Sequence, residues 1–140
     1  MTTAGPLAAP SSSDQVGIAS LTQKVMAAWA YHDADSFADL FVEDGTMILP
    51  GIYRNGREEI RQYLAEAYQG RYKGTQVTGK PMSMRSLGSD AAILLSYGGV
   101  LESGESEVSS KGAVRASWLV VKRDGEWRLA AYQNTPANAA

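Results

Sequence analysis

The sequence predicts an α+β domain: three N-terminal helices packed on a curved, cone-shaped antiparallel sheet. Three observations carry that expectation. Helical periodicity occupies the first half of the chain, and long strand-like runs fill the second. The turn Asp124-Gly125 between two such runs is a strong short hairpin signal. Helices that precede an antiparallel sheet, and do not alternate with its strands, place the chain outside the α/β class.

The elements follow in order. After Met1, residues up to 13 are Ala, Pro, Ser, Thr and Gly with a single Leu, so residues 1–13 are expected to form a disordered arm. The Ser11–Asp14 cluster offers N-cap oxygens. After it Ile18, Leu21, Val25, Ala28, Trp29 and His32 recur at helical spacing, which predicts one long amphipathic helix ending near His32-Asp33. A short helix over 34–42 follows, with Phe37, Leu40 and Phe41 on one face. Glu43-Asp44-Gly45 reads as a turn, 46–49 as a strand stopped by Pro50-Gly51. Asn55 is a cap for a third helix at about 57–70, whose apolar face is Ile60, Tyr63, Leu64, Ala67 and Tyr68.

Four strands complete the chain. Residues 75–87 contain Pro81, which marks an edge, bulge or bend. Residues 91–102 are nearly continuous apolar, as in a strand covered on both faces, with Gly98-Gly99 as a kink that lets the sheet curl. A polar loop over 103–112 leads to strands 113–123 and 126–134. The single domain is therefore expected over 14–136, with a flexible tail at 137–140.

Composition narrows the function classes. The 140 residues contain no cysteine, which excludes disulfides, thiolate nucleophiles and Cys-ligated metal sites. Thirteen basic and fifteen acidic residues give a net charge of −2, which offers no attraction to nucleic acid or anionic membrane. No apolar run reaches the roughly 20 residues of a membrane span. The N-terminus lacks the basic start and apolar stretch of a secretory signal, so a cytoplasmic location is expected. Metal ligands are not clustered and no phosphate-binding Gly-rich loop occurs, so neither a metal nor a cofactor is expected.

The stretch Trp29-Ala-Tyr-His-Asp-Ala-Asp-Ser-Phe-Ala-Asp-Leu-Phe-Val-Glu-Asp-Gly-Thr-Met resembles the signature of the nuclear-transport-factor-2-like superfamily. Gly56-Arg-Glu-Glu-Ile-Arg resembles the opening of its third helix, and Asp124-Gly-Glu-Trp-Arg-Leu-Ala-Ala its closing strand. The ending Ala131-Tyr-Gln-Asn-Thr-Pro136 is similar to the SgcJ/EcaC branch, whose members are often encoded with enediyne and polyketide biosynthesis enzymes. The resemblance covers about 14–136. It implies a cystatin-like α+β barrel with an internal pocket for an apolar small molecule, and a homodimer through the outer sheet face. The superfamily also holds ketosteroid isomerases, SnoaL-type polyketide cyclases, scytalone dehydratase and non-catalytic binders, so the fold alone leaves the activity open.

Ketosteroid isomerase chemistry needs a carboxylate base with a Tyr and a protonated Asp as oxyanion donors. Aligned on Asp33 and the Pro50 turn, those positions fall on Leu49, Val25 and, at or near it, Trp118. All three are apolar, which disfavours that mechanism. His32, the single histidine, lies at a helix end and reads as a helix-end cation or surface residue.

With Asp124-Gly125 as the turn, an uninterrupted register pairs Lys122 with Trp127, Val120 with Leu129, Trp118 with Ala131 and Ala116 with Gln133. Paired residues share a face. By the resemblance that face looks into the cavity, so Trp118 and Gln133 are expected there, together with Trp29, Tyr63 and Tyr97. These five are the candidate ligand-binding residues: aromatics supply flat contact area and a few polar groups fix orientation. Each has a plainer reading. Trp29, Trp118 and Tyr63 also suit a core role, Tyr97 a backbone hydrogen bond, Gln133 a structural bond near the rim. Met82 and Met84 read as sheet core. Three functions remain open: a pocket protein of natural-product biosynthesis binding an unsaturated intermediate, an acid/base isomerase or cyclase, or a non-catalytic interaction module.

Overall fold

A computed structural model describes residues 5–138. Residues 1–4 and 139–140, which belong to the expected arm and tail, lie outside the described residues. Helix α1 spans Ser12–Ala30, α2 Ala34–Asp39 and α3 Arg57–Gln69. Strands β1 (Phe41–Leu49), β2 (Ile52–Asn55), β3 (Gln76–Ser86), β4 (Ala91–Leu101), β5 (Ala113–Arg123) and β6 (Glu126–Pro136) form one sheet in the order β2-β1-β6-β5-β4-β3. All neighbours are antiparallel except β1 and β6. The α+β architecture expected from sequence is the one observed.

Helix α1 starts where Ser11 Oγ accepts the Asp14 amide at 3.2 Å. Its buried stripe is Ile18, Leu21, Val25, Ala28 and Trp29. Gly17 lets it sit directly on the sheet: a Cβ there would lie 2.6 Å from the Trp127 ring. Asp33 caps α2 through Ser36, and those hydrogen bonds hold its carboxyl below the usual carboxylate range. Arg61 on α3 reaches Asp35, Asp39 and Glu58 at 2.8, 3.0 and 3.2 Å and ties α3 to α2. Residues before α1 follow the edge strand: Ala8 accepts from the Ser86 amide at 2.7 Å and Pro10 is buried.

Several local expectations are corrected. Helix α2 stops at Asp39, and Phe41 and Val42 open a strand because β6 offers the backbone partner, the Leu129 amide donating to the Leu40 carbonyl at 2.8 Å. Asn55 does not cap α3; its amide is instead bound by the Glu59 carboxylate at 3.0 Å, and Gly56 takes the cap position. Strand β4 is covered on one face, with Leu95 and Tyr97 more than a third exposed on the other. Pro81 does mark a bulge in β3, and Met82, the extra residue, is pushed out to solvent.

A second bulge decides the site. Val120 pairs with Leu129, but Leu119 pairs with Ala131, so Ala130 is an extra residue on β6. From there on the register is shifted by one, and side chains exchange faces. Trp118 therefore stands opposite Tyr132, and Ala116 opposite Asn134. The turn itself behaves as expected: Asp124 and Gly125 both adopt positive φ, as a two-residue type I′ hairpin requires.

Candidate functional site

The sheet curls beneath α1 and leaves a cavity of about 340 Å³. Inner-face residues of β4, β5 and β6 build one wall: Leu94, Ser96, Trp118, Tyr132 and Asn134. Val25, Met26 and Trp29 of α1 build the opposite wall, with Met47 and Leu49 of β1 between them. The charged groups of the lining, Arg71, Glu102 and Lys111, are all exposed and so belong to the rim. Val25, Leu49 and Trp118 converge on this space, so the positions matched to isomerase donors and base are cavity positions and carry no acid or base.

Of the five predicted site residues, two meet here. Trp29 and Trp118 line the cavity from opposite sides. Tyr63 is half-buried on α3 outside the lining, with the Arg54 guanidinium 4.9 Å from its ring centre and its hydroxyl beside Tyr72. Tyr97 and Gln133 are on the other side of the sheet. Tyr97 pairs with Arg115 on β5, and Gln133 with Ser117, because the Ala130 bulge turned Tyr132 and Asn134 inward in place of Ala131 and Gln133. Sequence reasoning missed Ser96, Tyr132 and Asn134. A bulge without glycine or proline leaves no mark in the sequence, so nothing local could have located them.

The cavity's aromatic walls are held by ring N–H groups. Trp118 Nε1 donates to Ser96 Oγ at 2.9 Å, and the Trp118 and Tyr132 rings meet edge to face at 5.0 Å. Trp29 Nε1 donates to Thr75 Oγ1 at 3.0 Å. His32 Nε2 donates to the carbonyl of the same Thr75 at 2.8 Å, and its ring stacks on Tyr68 at 4.9 Å. His32 is therefore a tether between α1 and the loop before β3, one turn from Trp29, and not a free surface group. The Asn134 amide donates to the Tyr132 hydroxyl at 3.1 Å.

Burial sets the ionisation of the tyrosines around the site. It pushes the Tyr132 hydroxyl up from the ordinary value, and the Asn134 bond offsets this only in part. Tyr68 is raised by burial and by the Asp33 charge, and Tyr72 is pushed up to about 12 by burial and by the Tyr63 hydroxyl. Each folded value lies above the unfolded one near 10. Stability from these groups is thus fully present below pH 10 and is lost as pH rises through the folded values, because the unfolded chain ionises first. Each tyrosine held neutral contributes a slope of up to about 1.4 kcal/mol per pH unit. Melting temperature should be flat from pH 8 to 9.5 and fall steeply above pH 10; a curve flat to pH 11.5 would contradict the burial of these hydroxyls.

Among the described residues no group of three His, Asp or Glu side chains is placed to hold a metal ion, and no helix is long and apolar enough to cross a membrane.

A curved six-stranded sheet, capped by helices around an apolar cavity, defines a small pocket-forming domain of the cystatin-like, nuclear-transport-factor-2-like fold. The SnoaL-like domain family matches residues 10–133, and the chain belongs to that family. A domain of unknown function with a cystatin-like fold from Nostoc punctiforme superposes with a TM-score of 0.83 at 25% identity, over 92% of this chain and 80% of that one. A nuclear-transport-factor-2-like protein from Novosphingobium aromaticivorans gives 0.76 at 20% identity, over 91% and 84%. A candidate scytalone dehydratase from the same organism gives 0.72 at 17% identity, over 91% and 90%. No curated protein sequence matches the chain.

Proposed function

We propose that this protein binds an apolar, unsaturated small molecule in the cavity and folds, protects or cyclises it as part of natural-product biosynthesis. The observation that carries the reading is the composition of the cavity wall. About 340 Å³ is lined mainly by apolar side chains and two tryptophans, with a few hydroxyls and the Asn134 amide among them and the charged groups at the rim. That volume is in the range of small-molecule sites, and the balance of apolar surface with a few polar groups is theirs too. The 131–136 segment, similar to the SgcJ/EcaC branch, supports a polyketide or enediyne-type intermediate as the ligand. The cytoplasm is the proposed location.

The outer sheet face supports a homodimer. Ile48, Leu95 and Tyr97 are each more than a third exposed on it, and Met82 at the β3 bulge is more exposed still, which is a large apolar area for a monomer to leave in water. A second reading is an acid/base cyclase or isomerase, for which the Tyr132 hydroxyl in the cavity wall is the available proton donor. Weighing against it, the enclosed wall holds no carboxylate to act as base.

Native mass spectrometry on protein taken gently from its producing organism tests the reading. A dimer carrying an unsaturated small molecule is the expected result. Empty protein that also fails to take up any apolar aromatic compound in solution would overturn it.

A further inference from the structure

We propose that Tyr132 is a specificity-determining hydrogen-bond donor that selects ligands bearing a conjugated ketone carbonyl, with Asn134 as its positioning residue and Ser96 as a second donor point. This deepens the pocket reading and rests on it.

A hydroxyl has one proton to give and an oxygen that accepts. Of the lining hydroxyls, the two on the central strands of the sheet wall, Ser96 and Tyr132, already have an N–H on the oxygen. Asn134 Nδ2 occupies Tyr132 Oη at 3.1 Å, and Trp118 Nε1 occupies Ser96 Oγ at 2.9 Å. Neither O–H proton has a protein acceptor among the described residues. Two unspent donors therefore line the same apolar cavity. Tyr132 is half-buried and lines the cavity. Asn134 Oδ1, the unpartnered acceptor beside it, is fully covered and out of a ligand's reach.

Two O–H donors on an otherwise apolar, uncharged sheet wall fit a carbonyl oxygen. The wall does not fit a buried ammonium or carboxylate, since the only charged lining groups, Arg71, Glu102 and Lys111, lie at the exposed rim. A pure hydrocarbon would strand both donors. With the Asn134 N–H on its oxygen, the phenolic group must direct its own proton away from that nitrogen, which preorganises the donor.

The test uses two probes of matched shape, 2-acetylnaphthalene and 2-isopropenylnaphthalene, titrated calorimetrically into the full chain. The ketone should bind about 10-fold more tightly than the alkene, the worth of one enclosed hydrogen bond. Tyr132→Phe, checked for folding by circular dichroism, should bring the two within about 2-fold by weakening only the ketone. Gln133→Ala, on the outer face, should leave the ratio unchanged. In the wild type the infrared carbonyl stretch of the bound ketone should shift to lower frequency than in hydrocarbon solvent, and it should shift less in Asn134→Ala. Equal affinities in the wild type, or a ratio that survives Tyr132→Phe, would overturn the donor and leave the pocket standing. Failure of both probes to bind the folded wild type would overturn the pocket reading and the donor with it.

Discussion

Replacing Trp29 with alanine should destabilise the domain by about 3–5 kcal/mol, the cost of truncating a buried aromatic to a methyl group. Its indole is a hub. Phe37 of α2, Tyr68 of α3 and Tyr72 of the following loop all meet it, with ring centres 6.1, 5.3 and 4.8 Å away. Alanine would remove the contact that all three share. It would also leave Thr75, which is 1% exposed, without its indole partner. Domains of this size have about 5–15 kcal/mol in total, so the variant should be marginal at room temperature. Trp29→Phe separates the two contributions, keeping most of the ring and losing the N–H, at about 1–2 kcal/mol. Urea unfolding followed by the fluorescence of Trp118 and Trp127 measures both. A loss under about 1 kcal/mol for the alanine variant would mean the helices are held by something other than this indole.

The sequence marked this residue but not its partners. The apolar stripe of α1, from Ile18 to Trp29, is legible because burial of one helix face forces a 3.6-residue period. The hairpin at Asp124-Gly125 is legible because positive φ at two successive residues demands that chemistry. Those two features, with the apolar strands, were enough for the fold. The site needed more, since its inward residues depend on strand parity. Parity was readable from the turn as far as Val120 and Leu129, and was then inverted by one extra alanine. Trp118 survived that error because it lies on the unbulged strand. Gln133 did not, and the polar group that faces the cavity is its neighbour on either side. Trp29 and His32 converge on Thr75, more than forty residues away, where no local pattern could announce the contact.

Gly98→Ala should cost about 3 kcal/mol or more, although alanine is ordinarily the better strand residue. Gly98 does not have a positive φ, so the backbone conformation is no obstacle. Space is. A Cβ at this position would overlap the carbonyl of Thr78 and the Cα of Gly79. These are backbone atoms of β3 and cannot rotate aside like a side chain. The strand would have to lift off β4, at the point where both strands contribute to the cavity wall. Gly98 therefore connects the curl of the sheet to the existence of the pocket. Gly79, its partner across the ladder, is the control: a Cβ there meets nothing within 4 Å, so Gly79→Ala should be neutral within about 0.5 kcal/mol or slightly stabilising. Urea midpoints for the two variants read the difference, and binding of 2-acetylnaphthalene reports whether the cavity persists. If both glycines tolerate alanine equally, the close approach of β3 to β4 at this pair is not what shapes the cavity. If only Gly98 resists, and its variant loses the probe while retaining its helices by circular dichroism, the wall of the site depends on the absence of a single methyl group.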